Sequence, residues 1–217
     1  MLPPESLFAI AIVIFFGLGL HEYAHAKFAD LAGDPTPRYY GRVTLNLFKH
    51  FDMLGTIMIA VTAISGFGIG WGKPVPMDPR KMRSPVWDHF VAVAAGPMSN
   101  LLQAAVWAFV VRGLMAGVIP QSEFLILLAT YGVTVNLSLC FFNLIPLGPL
   151  DGHWLLGTFL PEPARLKWYL WNRQVGGFIL LGVVLLGQFS GFSILGRVLG
   201  PPMRYFFRLL TGIPLDF

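Results

Sequence analysis

Residues His21-Glu22-Tyr23-Ala24-His25 place two imidazoles four positions apart with a carboxylate directly after the first. On a helix, positions i and i+4 project from one face about one turn apart, so both rings can grip a single metal ion. Glu22 is rotated about 100° from His21 and can reach a water beside the metal without being a ligand. A carboxylate so placed can act as general base in hydrolysis of a carbonyl compound. The bland alternative is a pair of satisfied core histidines beside a salt-bridged glutamate. That alternative carries a heavy cost here, because Leu7 to Ala29 is otherwise apolar apart from Lys27. Ionisable groups inside a membrane helix are expensive and read by default as functional.

The whole chain supports a membrane setting. Charged residues make up 12% of the 217 positions, hydrophobic residues 55%, and the mean hydropathy is +0.66. One soluble core of this size could not hide that much apolar surface. The 19 Phe and 6 Trp suit lipid contact and the interface. A net charge of +4 and a pI near 9.4 would permit nucleic-acid binding. Its distribution argues against that: Lys27, Arg38, Arg42 and Lys49 form one group, Lys73, Arg80, Lys81 and Arg83 a second, and Arg165, Lys167 and Arg173 a third. These groups lie between apolar runs, as loop charges that set membrane orientation do. No nucleic-acid partner is expected. The single Cys140 allows no intrachain disulfide and no cysteine-rich metal site. The first apolar run lacks the basic start and small-residue cleavage site of a signal peptide.

Leu7 to Ala29 would span roughly 34 Å as a helix, enough to cross a bilayer. Phe90 to Val111 and Phe124 to Ile145 read as two further spans. Met53 to Gly70 is apolar but short, and Arg42 to Leu47 alternates polar and apolar as a half-buried strand would. The Trp71 to Pro76 stretch cannot be helical, since two prolines remove donors. Pro161 to Asn172 reads as a polar connection to a further apolar run, Val175 to Phe189. Ile194 to Leu210, with Arg204 and Arg208 at i, i+4, suggests an interfacial helix. The expected fold is therefore an all-α polytopic membrane protein: about three transmembrane helices, a re-entrant or β-hairpin segment, and additional C-terminal helices. All of residues 1–217 are assigned to one integral-membrane domain, with a catalytic core at about 7–158 and C-terminal helices at 161–217. Placing the basic groups on the cytoplasmic side leaves only Arg112 in the loop between the second and third spans, and requires 53–70 to dip in and return. The first and third helices are then parallel, with His25 and Asp151 near the same face.

A catalytic zinc takes three protein ligands and keeps one open position. Candidates for the third ligand are His50, His89, His153, Asp52, Asp88 and Asp151. Asp151 is best placed, because Pro146 and Pro149 break the helix before it. Non-helical backbone at this depth survives only when buried in protein or lining a wet cavity. The alternative is a turn aspartate capping the next helix.

Together these residues resemble the site-2 protease family of intramembrane zinc metalloproteases. His21 to His25 matches its HExxH, and Asn143 to Gly152 matches NxxPxxPLDG at every fixed position. Gly96-Pro97-Met98-Ser99-Asn100 looks like its GxxxN element. The similarity covers residues 7 to about 158, and the length implies a short form without the PDZ domain of larger bacterial members. It implies one Zn²⁺ per chain held by His21, His25 and Asp151, with Glu22 as catalytic acid/base and a catalytic part for Asn143. The implied reaction is endopeptidase hydrolysis in or near transmembrane segments of protein substrates, in a lipid bilayer. A multi-pass protein of a prokaryotic plasma membrane, active toward the cytoplasm, is expected. Asn100 suits either substrate contact or helix–helix bonding. Lys73 to Pro76 suits either an extended edge for a substrate or a rigid interfacial loop. His153 suits a supporting partner of the metal site or an interfacial histidine. Glycines 66, 68, 70, 148 and 152 would give flexible backbone near the water path, with 53–76 as part of a gate. The competing class is a non-proteolytic membrane metal-binding protein or a metal transporter. A transporter should carry ionisable residues along several helices, and five histidines are too few for a two-iron desaturase.

Overall fold

The computed structural model describes residues 2–65, 70–190 and 193–215; Gly66 and Gly68 lie outside them. Helix α1 spans Pro4–Leu31, with proline in its first turn, where the missing N–H costs nothing, and Glu5 beside the positive end of the helix dipole. It stops before Gly33, whose φ of 106° is one that side-chain-bearing residues rarely adopt. A short α2, Thr36–Tyr39, and a 3₁₀ turn at Leu47–His50 lead to α3, Met53–Ser65. Next come α4, Trp87–Met115, and α5, Glu123–Asn143, the latter capped by Ser122 accepting from the Leu125 N–H at 3.2 Å. Helix α6 spans Asp151–Thr158 and α7 spans Ala164–Trp171. A π-turn at Asn172–Gly176 joins α7 to α8, Gly177–Ser190, and α9 spans Ile194–Thr211.

Helices α1, α4 and α5 pack most extensively on one another. Phe8 stacks on Phe124, and Gly17 lies against Leu139, so α1 and α5 run parallel. His21 meets Asn100 and His25 meets Ala92, so α4 runs antiparallel to α1. The buried interfaces are rich in small residues, including Ala9, Ala26, Ala29, Ala92, Ala104 and Ala129. Where lipid surrounds the helices, association rests on close approach of backbones, and small side chains permit it.

Among the described residues, four stretches are long and apolar enough to cross a membrane: Pro4–Leu31, Trp87–Met115, Glu123–Asn143 and Ala164–Gly187. The fourth exceeds the expected three. The supposed polar connection before Asn172 is helical because Trp168, Tyr169, Leu170 and Trp171 continue the apolar run and the π-turn carries the backbone straight into α8.

The β-hairpin or re-entrant segment is not supported. No strand occurs among the described residues, and Met53–Ser65 forms one helix of 13 residues, roughly 20 Å long. Asp52 starts it, its carboxylate accepting from the Gly55 N–H at 2.8 Å. Over Arg42 to Leu47 the alternation is misleading, because the burial runs against it. Arg42 is 3% exposed and Leu45 66% exposed. Arg42 turns inward to carbonyls far along the chain, and no neighbouring strand lies alongside.

Candidate metal centre

Helix α1 presents both histidines on the face that packs against α4. Nε2 of His21 and Nε2 of His25 stand 3.0 Å apart. Asp151 Oδ2, at the first residue of α6, lies 3.2 Å from the first and 3.3 Å from the second. Both rings are buried.

The proton positions on these rings follow from their other nitrogens. His25 Nδ1 lies 2.9 Å from the Ala92 carbonyl, which can only accept, so that nitrogen carries the proton. His21 Nδ1 lies 2.7 Å from Asn100 Oδ1. The orientation of that amide is set by its Nδ2, which donates to the Gly17 carbonyl at 2.9 Å and to Asn136 Oδ1 at 3.0 Å. His21 Nδ1 therefore also carries its proton. Both Nε2 atoms are then left as lone pairs facing a carboxylate oxygen that is buried and accepts no hydrogen bond. Three lone pairs this close repel one another unless a cation lies among them. Their spacing suits tetrahedral zinc, whose ligands at about 2.0–2.1 Å sit roughly 3.3 Å from each other. The residues present fit the metal.

Gly96 of α4 makes the approach possible. A Cβ there would collide with Nε2 and Cε1 of His25 and stand 2.8 Å from Cε1 of His21. The loop carrying Asp151 is held from the other side. Asn172 Oδ1 accepts from the Gly148 N–H at 2.7 Å, and Gly176 of the π-turn packs on the same backbone. Such π-turns inside helices recur at functional sites.

Glu22, 8% exposed, faces the same cavity of about 440 Å³ as the side chains of His21, His25 and Asp151, together with Asn143 and the Gly70–Met77 wall. Gly72 of that wall lies directly against the Glu22 carboxylate; a Cβ there would stand 3.0 Å from Oε1. Asn143 lines the cavity while its Nδ2 donates to the Leu139 carbonyl at 2.9 Å.

The remaining candidates lie apart from the convergence point. Asn100 is fully buried and bonds His21 rather than facing the cavity. His153 points its Nδ1 at the Leu150 carbonyl, and His89 packs edge-on to Trp154. Asp52 caps α3, and Asp88 accepts from the Ser84 N–H at 2.8 Å. His50 Nε2–H donates to the Thr44 carbonyl at 3.0 Å, and its Nδ1 faces Arg42. Burial lowers the His50 pKa, which keeps the ring neutral beside the guanidinium. Of Lys73 to Pro76, the Lys73 and Pro74 carbonyls are both taken by Arg42, which favours the rigid loop over a free edge. Sequence reasoning passed over Asn136 and Asn172. The available signal was an amide within an apolar helical run, where an unsatisfied polar group is costly.

No protein-family model matches the chain, and no solved structure matches it. It is 32% identical over 195 residues to the protein named "Putative zinc metalloprotease YwhC" of Bacillus subtilis (strain 168), an alignment covering 85% of this chain and 83% of that protein. With HExxH, GxxxN and NxxPxxPLDG brought to one place by α1, α4 and the loop before α6, and with that relative matched over most of both chains, the chain belongs to the site-2 protease-like family of zinc metalloproteases.

Proposed function

We propose that this chain is an intramembrane zinc-dependent endopeptidase that hydrolyses peptide bonds in or near transmembrane segments of membrane-protein substrates. The observation that carries the reading is the convergence of His21 Nε2 and His25 Nε2, both on a helix of membrane-spanning length, with Asp151 Oδ2 of α6, beside a buried Glu22 in one cavity. His21, His25 and Asp151 would hold one Zn²⁺. Bound there, zinc supplies the Lewis acidity that polarises a substrate carbonyl and makes water a nucleophile near neutral pH. Glu22 takes the proton from the attacking water and delivers it to the leaving amine. Asn143, at the cavity edge, orients the substrate backbone. Asn100 and the Ala92 carbonyl fix the tautomers that leave both Nε2 atoms free to ligate.

A helical substrate shields its amides in internal bonds, so an unwound segment must reach the site. Support for entry from within the membrane comes from a second, largely apolar cavity of about 560 Å³. It lies among α1, α3, α5, α8 and α9 and shares Leu18, Gly70, Leu139 and Phe142 with the site. The basic groups at 27–49, 73–83 and 165–173 favour a cytoplasmic position for this end of the protein, in a prokaryotic plasma membrane.

The test is cleavage of a reporter transmembrane substrate by the detergent-solubilised protein before and after metal removal. Chelation is expected to abolish cleavage, and stoichiometric zinc to restore it. Cleavage that persists in the fully demetallated protein would reject a metallopeptidase.

A further inference from the structure

Arg42 is 3% exposed, and nothing in the HExxH or NxxPxxPLDG motifs involves it. Its Nη1 donates to the Pro74 carbonyl at 3.0 Å, and its Nη2 donates to the Lys73 carbonyl. Nη2 also faces His50 Nδ1 at 3.4 Å. The His50 backbone closes the loop, since its carbonyl accepts from the Lys73 N–H at 2.8 Å. The segment so fastened contains two prolines, which cannot donate, and it does not pair with a strand. Two of its carbonyls converge on one side chain, so a planar guanidinium with several donors in a fixed fork suits this place better than an ammonium. One residue before the fastened pair, Gly72 touches the Glu22 carboxylate, and Gly70, Trp71, Pro74, Val75 and Met77 line the cavity.

We propose that Arg42 is a positioning residue for the proposed hydrolysis: its buried guanidinium fixes the 70–77 wall against Glu22 and so sets the orientation of the base and the width of the cleft. Arg42 touches neither the metal ligands nor the space a substrate would fill. It acts through two carbonyls, and through Gly72 it determines how far the Glu22 carboxylate can swing away from the metal. The inference rests on the peptidase reading for its consequence in turnover, but not for the wall it describes.

The experiment uses the full zinc-loaded chain in detergent with Val75→Cys in a Cys140→Ala background, so that the only thiol sits on the wall. Thiol-labelling rate at 75, zinc content and turnover of the reporter substrate are measured with Arg42 intact, with Arg42→Met and with Arg42→Lys. Arg42→Met is expected to speed labelling roughly ten- to a hundredfold, the scale of losing hydrogen bonds from a charged donor. Its kcat should fall roughly a hundredfold, as for an ångström-sized misplacement of the base, while zinc stays at one per chain. Arg42→Lys should recover part of both, since one ammonium can still donate to the two carbonyls. Unchanged labelling and unchanged kcat in Arg42→Met would overturn the proposal. So would loss of zinc in step with activity in both variants, which would mark Arg42 as a general fold residue. If the Arg42-containing protein itself cleaves nothing, the peptidase reading fails separately, and the labelling rates still decide whether Arg42 holds the wall.

Discussion

Glu22→Gln is expected to lower cleavage by roughly a thousandfold or more, the upper range for loss of a general acid/base, while the protein keeps its zinc. Glutamine has nearly the shape of glutamate, so the contact with Gly72 and the cavity lining are retained. The loss is confined to proton transfer, because a neutral amide cannot accept a proton from water or return it to the leaving nitrogen. Glu22 is not within the convergent set of His21, His25 and Asp151, so metal content should not follow activity down. Cleavage assays beside metal analysis on the same preparations make the check. Loss of zinc in parallel with activity would move Glu22 from base to ligand or scaffold.

Gly96→Ala should remove zinc binding, with affinity falling by about a hundredfold or more, at least the upper end for changes next to metal ligands. The added methyl would occupy the place of His25 Nε2 and Cε1 and crowd His21 Cε1 at 2.8 Å. Both rings would have to turn, and neither can do so without breaking its Nδ1 contact to Ala92 or Asn100. Intrinsic propensity points the other way, since alanine in a helix interior is favoured over glycine by about 1 kcal/mol. A thermal melt of the metal-free protein that is unchanged or improved, together with lost zinc, would isolate the steric cause. Gly182→Ala in α8 is the control, because nothing stands within 4 Å of a Cβ there.

Much of this site was legible because its parts are local. The i, i+4 spacing of His21 and His25 needs only one turn of helix, and Pro146 and Pro149 announce where α5 must end and release Asp151. Parallel packing of α1 and α5 followed from the charge groups and puts both motifs at one end of the bundle. What escaped is tertiary. Arg42 looked like one polar step of a strand because its partners, the Lys73 and Pro74 carbonyls, lie more than thirty residues away. Asn136 and Asn172 bond to Asn100 and Gly148, partners that only the packed bundle supplies. The fourth membrane-length stretch was hidden by Arg165, Lys167 and Arg173, whose charges mark it as a loop on composition although its aromatic residues keep it helical.

The most direct measurement is zinc stoichiometry of the purified chain and of Asp151→Ala, each reconstituted with zinc and dialysed side by side. The account predicts one tightly held zinc per chain for the natural sequence and none retained by Asp151→Ala. Asp151 supplies the only anionic ligand of the three, and its Oδ2 is buried and accepts no hydrogen bond. Equal zinc content in the two proteins, or none in either, would contradict the three-residue centre on which the proposed function stands.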